Sequence, residues 1–109
     1  MKIFITGTAG FIGFSLAKAL LENNHSVYGY DGFTNYYDVK LKNNRNKILK
    51  KYKKFSFTKG MLENKNLLNK TIIKFKPEVI IHLAAQAGVR YSIDEPRTYL
   101  SSNIIGTHN

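Results

Sequence analysis

Residues 5 to 14 read Ile5-Thr6-Gly7-Thr8-Ala9-Gly10-Phe11-Ile12-Gly13-Phe14, with three glycines in the seven positions from Gly7 to Gly13. The apolar run Lys2-Ile3-Phe4-Ile5 precedes them and an amphipathic stretch follows. A chain with so few side chains at that junction is a strand feeding a helix through a tight turn. Gly7 permits the turn, Gly10 lets another molecule approach bare backbone, and Gly13 lets the new helix lie close against the strand. The helix start then presents free N–H groups and the positive end of its dipole, a setting suited to a diphosphate.

Asp31 supplies the second half of the signal. It follows an apolar run, Ser26 to Tyr30, at the distance where a carboxylate accepts hydrogen bonds from a ribose diol. A 2′-phosphate at that place would meet repulsion, so the pair of features favours NAD over NADP.

The same alternation continues along the chain. Lys2 to Thr6 reads as a buried strand and Phe11 to Glu22 as a helix with Ile12, Leu16, Ala19 and Leu20 inward, stopped by Asn23-Asn24. A third strand is expected at Phe55 to Lys59 and a helix from Glu63 to Phe75, with Leu67, Leu68, Ile72 and Phe75 inward and Pro77 beyond. Glu78 to Leu83 reads as a fourth strand, apolar enough to be buried on both faces. Strand alternating with helix predicts an α/β fold, a Rossmann-type doubly wound parallel sheet cut off after about four strands, with the first strand left at an edge. Ser92-Ile93-Asp94-Glu95 has capping-box spacing before Pro96. Ala84-Ala85-Gln86-Ala87-Gly88 is a small-residue segment at a strand's carboxyl end, where open α/β sheets bind ligands.

The chain has 109 residues, room for a single domain and none for a separate substrate domain. With no cysteine there is no disulfide framework or thiolate metal site, and the three histidines lack metal or triad spacing. His82 reads as a packed, hydrogen-bonded strand-end residue. No secretory pattern or long apolar run is present, which makes the cytoplasm the default location and leaves no membrane partner. The net charge is +10, and eight of the 17 basic residues lie between Val39 and Lys54. Leu41, Ile48, Leu49 and Tyr52 share helical spacing there, so the lysines read as the wet side of a surface helix, with no nucleic acid expected. A small basic module binding nucleic acid through Lys40 to Lys54 is the competing reading.

Together Thr6-Gly7-x-x-Gly10-Phe11-Ile12-Gly13, Asp31, the run His82 to Ser92, and Pro96-x-x-Tyr99-x-x-x-Asn103-x-x-Gly106-Thr107 resemble the NAD-dependent epimerase/dehydratase family of extended short-chain dehydrogenases/reductases. The likeness is greatest to the N-terminal part of nucleotide-sugar 4-epimerases acting on UDP-glucuronate, through Asp31-x-x-x-Asn35-Tyr36-Tyr37-Asp38-x-x-Leu41-Lys42 and Ala85 to Ser92. It implies residues 1–109 are a partial NAD-binding domain, with NAD held by Gly7, Gly10, Phe11, Ile12, Gly13 and Asp31. Backbone contacts from Met61 and Leu62 would serve the adenine, and Leu83, Ala84, Ala85 and Ser102, with neighbouring Asn103, the nicotinamide half. It also implies hydride transfer from the sugar C4 carbinol to NAD and back, with a tyrosine base aided by a lysine.

No catalytic residue is expected within this sequence. Tyr36 and Lys40 have the Tyr-x-x-x-Lys spacing, but they follow the second strand, near the adenosine end. The complete enzyme would take a UDP-sugar and form a homodimer, and this portion alone is expected to have no turnover. A 4,6-dehydratase fragment is the alternative within the family. Two departures stand out: Gly60-Met61-Leu62-Glu63 lacks the family's adenine-facing aspartate, and Gly32 replaces an asparagine, which is expected to loosen the adenosine loop.

Overall fold

The computed structural model describes residues 1–34 and 38–109. Four strands, β1 (Lys2–Thr6), β2 (Ser26–Asp31), β3 (Phe55–Lys59) and β4 (Val79–His82), form one parallel sheet in the order β3-β2-β1-β4. Three longer helices connect them: α1 (Phe11–Glu22), α2 (Val39–Lys50) and α3 (Lys65–Phe75). Short helices α4 (Val89–Asp94) and α5 (Pro96–Tyr99) follow, the latter running through a π-helical stretch at Leu100–Ile105 into α6 (Gly106–His108).

Alternation along β1 and β2 sends side chains to two cores. Ile3, Ile5 and Val27 pack with Ala17 and Leu21 of α1 and Leu49 of α2. Phe4 and Tyr30 pack on the other face with Leu62 and with Leu68 of α3. Helices therefore cover both faces, and the middle of β1, Ile3 to Ile5, is apolar because it meets no water on either side. The Phe4 ring stacks on Tyr28 at a centroid distance of 5.7 Å and lies 6.1 Å from Tyr30.

Register brings the strand ends level. Thr6 lies opposite Tyr30 on one side and His82 on the other, so the carboxyl ends of three strands open at one place. β1 is internal, contrary to the expectation that it would be an edge. The edges are β3 and β4, and the position of β4 at one of them leaves Val79 and Ile80 exposed despite a sequence apolar enough for burial on both faces. Among the described residues no helix is long and apolar enough to cross a membrane.

Several inward faces also differ from the periodicity. α1 turns Gly13, Ala17 and Leu21 inward, with Leu16 and Leu20 half-buried, and leaves Ile12 and Ala19 outside. Glycine is needed at the start of the helix because it lies close against the turn: a Cβ on Gly13 would fall 2.0 Å from the Gly7 carbonyl oxygen. α2 ends at Lys50 and buries Lys42, Asn46 and Leu49, while Leu41 and Ile48 face outward. Asp38 caps it by accepting from the Lys40 N–H. α3 begins at Lys65, where the Asn64 side chain accepts from the Leu67 N–H, and stops at Lys76 in the left-handed region. The capping box does not form: Ser92 lies inside α4 and its hydroxyl donates to the Val89 carbonyl. Pro96 does open the next helix.

Candidate functional site

At the level strand ends lies a cleft of about 300 Å³. Its first wall is the glycine turn. Gly7 has φ +85°, its N–H donates to the Tyr30 carbonyl, and its carbonyl accepts from Gly10 N–H. A Cβ on Gly7 would lie 2.9 Å from the Ala84 nitrogen, so both the left-handed conformation and the close approach of β4's end require glycine. No side chain caps α1, and its start, Gly10 to Gly13, lines the cleft with Phe11 and Ile12 exposed.

Asp31 closes the next strand. One carboxylate oxygen accepts from Ala9 N–H at 3.0 Å and the other from Phe33 N–H at 2.8 Å. The group is held in place with lone pairs remaining for a diol. Across the cleft, the Thr6 hydroxyl accepts the N–H groups of Leu83 and Ala84 at 3.0 and 3.1 Å, fixing the backbone past β4.

Gly7, Gly10, Phe11, Ile12, Gly13, Asp31, Met61, Leu62, Leu83, Ala84, Ala85 and Ser102 all line this single cleft, although five separate stretches of sequence supply them. Asn103 does not line it. Its side-chain amide accepts from Gln86 N–H at 2.8 Å and donates to the Gln86 carbonyl at 3.1 Å, which clamps the segment after β4. Of the Tyr36–Lys40 pair, Tyr36 lies outside the described residues and Lys40 is in the first turn of α2.

The two departures from the family pattern fit one another. A Cβ on Gly32 would lie 2.1 Å from the Met61 sulfur, so the methionine occupies the room that a side chain at position 32 would need. Packing by Met61 stands where looseness was expected.

Sequence reading missed a polar layer beside Asp31 and the glycine turn. Lys42, almost fully buried, lines the cleft, and its ammonium donates to the Thr34 carbonyl at 2.8 Å. Burial lowers its pKa; nearby Asp31 pulls the other way and Arg45 adds to the lowering. Arg45, one turn further, donates to the Ala9 carbonyl at 3.0 Å, tying α2 to the turn. The signal was present as Lys42-x-x-Arg45-Asn46-x-x-Leu49, but Leu41 and Ile48 offered a more apolar face. Tyr30, fully buried, donates to the Met61 carbonyl at 2.8 Å, and burial, with Glu63 adding, raises its pKa. It is therefore built to keep its proton.

A doubly wound parallel sheet with a bare turn after its inner strand and a fixed carboxylate after the next places the chain among the Rossmann-type nucleotide-binding folds. A family model described as GDP-mannose 4,6 dehydratase matches residues 4–109, and the chain belongs to that NAD-dependent epimerase/dehydratase family. It is 50% identical over its full length to a probable UDP-glucuronate 4-epimerase of Rhizobium meliloti and 54% identical to protein CapI of Staphylococcus aureus, covering 32% of each. A crystal structure of UDP-glucuronic acid 4-epimerase from Bacillus cereus, in complex with UDP-glucuronic acid and NAD, superposes with a TM-score of 0.89 at 37% identity. That match covers 98% of this chain and 34% of the other. The chain thus spans about a third of the length of the relatives it matches.

Proposed function

We propose that residues 1–109 form the NAD-holding portion of a nucleotide-sugar 4-epimerase that acts on a UDP-sugar, UDP-glucuronate in particular. The observation that carries this is the joining of the bare turn, Asp31 and the Leu83–Ala85 backbone around one cleft. The residues fit the cofactor: the turn leaves room for a diphosphate, Asp31 offers acceptors to a ribose diol, and the small residues after β4 leave backbone open for the nicotinamide half. When bound, NAD supplies hydride acceptance and return at the sugar carbinol.

Within the described cleft, Tyr30 donates its proton to Met61 and Lys42 donates to Thr34, so neither is poised as a base for a sugar hydroxyl. Turnover by these residues alone is not expected, and the homodimer and the UDP-sugar belong to the complete enzyme. A cytoplasmic setting suits that chemistry. The lysines of α2 act as a solvated face, with no nucleic-acid partner. A nucleotide-sugar 4,6-dehydratase is the second reading, and the description of the matching family model is the observation on its side.

Isothermal titration of the chain with NAD tests the proposal. Saturable binding is expected, weakened at least about tenfold by Gly10→Arg, which pushes a long cation into the turn. Equal binding by the two proteins would contradict the site. Sugar-nucleotide epimerisation by the unaltered chain would contradict the absence of a base.

A further inference from the structure

His82 stands at the end of β4, largely exposed, with each ring nitrogen in a hydrogen bond. Nδ1 is 2.6 Å from the Thr6 hydroxyl and Nε2 is 2.9 Å from the Thr107 hydroxyl. The direction of the first bond follows from the surroundings of Thr6. Its oxygen already accepts Ala84 N–H and Leu83 N–H, the latter shared with Thr6's own carbonyl. Two lone pairs so occupied leave the hydroxyl proton as the group available to Nδ1. A proton on Nδ1 would set donor against donor and strand the threonine's hydrogen. The neutral ring therefore carries its proton on Nε2 and donates it to Thr107.

We infer that His82 is a positioning residue for the β4 side of the cleft, acting through a directed relay in which Thr107 receives from Nε2–H and Nδ1 receives from Thr6. With its proton committed to Nδ1, the Thr6 oxygen keeps both lone pairs for Leu83 and Ala84, the backbone that passes close to Gly7. The relay also reaches the last helix. Gly106 sits bare against Leu62, where a Cβ would approach to 2.6 Å, and this contact places Thr107 beside the ring. The orientation of α6 is thereby coupled to the cleft wall. The inference rests on the NAD reading for its consequence, while the proton's location stands independently of any ligand.

Long-range 1H–15N correlation of the imidazole ring in its neutral form, assigned by its loss in His82→Gln, is expected to show the proton on Nε2. NAD titration supplies the functional arm. Asparagine keeps an acceptor where Nδ1 was, whereas glutamine keeps a donor where Nε2 was. His82→Asn should bind NAD within about threefold of the unaltered chain, whereas Thr107→Val, which removes the acceptor for Nε2–H, should bind more weakly, and His82→Gln about tenfold more weakly, near the value of one hydrogen bond. A role based on side-chain volume alone would favour glutamine, the larger substitute, over asparagine. A proton on Nδ1, or equal affinities for the two variants, would overturn the relay. An unaltered chain that binds no NAD but carries the proton on Nε2 would contradict the cofactor reading and support the relay.

Discussion

The two sides of the cleft are built differently. On the turn side, Phe4, Ile5, Ala17, Val27 and Tyr30 are completely shielded from solvent, and close packing fixes the glycines and Asp31. On the β4 side, Ile80 is 53% exposed, Val89 83% and Ile93 77%. Polar clamps hold the backbone there instead: Thr6 on Leu83 and Ala84, Asn103 on Gln86, and Tyr99 on the carbonyls of Ala87 and Gly88. A wall fixed by core packing resists rearrangement, because moving it opens cavities. Directional bonds near water can be exchanged more cheaply. The turn side of the cleft is thus the rigid reference, and the β4 side is set against it by hydrogen bonds.

The sharpest way to break that contrast is to disturb the turn itself. Gly13→Ala places a methyl against the Gly7 carbonyl and is expected to cost at least about 4 kcal/mol, leaving a chain without a cooperative urea transition. A transition close to that of the unaltered chain would show that the turn yields easily. Next come paired truncations on the two sides. Phe4→Ala should lose about 3 to 5 kcal/mol in urea unfolding, and Ile80→Ala less than about 1. Similar losses would erase the distinction.

Smaller effects test the links between layers. Arg45→Gln removes the donor to Ala9 and is expected to cost about 1 kcal/mol, with NAD affinity falling because the turn loses its tie to α2. Tyr30→Phe should likewise cost about 1 kcal/mol near neutral pH through the lost bond to Met61. The variant should also differ in pH dependence. The folded-state pKa of Tyr30 lies above its ordinary 10.0, so between those two values the folded state binds more protons than the unfolded state. Stability falls as pH rises through that window, and Tyr30→Phe should lack this loss in denaturation curves taken on either side of pH 10.0.

Much of the turn side was legible because its requirements are local. Gly7, Gly13 and Asp31 are dictated by backbone geometry within one strand–turn–helix–strand unit, and the bounds of β1 and α1 follow from a short apolar run and its glycines. The β4 side was less legible. Val79-Ile80-Ile81 has the composition of a doubly covered strand, but burial depends on which strands and helices flank it, and residue identity carries no record of that. The faces of α1 and α2 failed for a related reason. Apolar periodicity points to Ile12, Leu41 and Ile48, whereas the close approach of α1 to the turn selects Gly13, and the polar cleft selects Lys42. Cleft lining by Met61 was legible at its position, but its fit to Gly32 requires two distant residues to be seen together.

The most direct test of a cofactor cleft anchored on its packed side is amide hydrogen exchange of the 109-residue chain with and without saturating NAD. Slowed exchange at Gly7 to Gly13 and at Asp31 and Gly32, with a smaller slowing at Leu83 to Ala85, is the expected result. Protection confined to the lysine face of α2, or no change at the glycine turn, would contradict it.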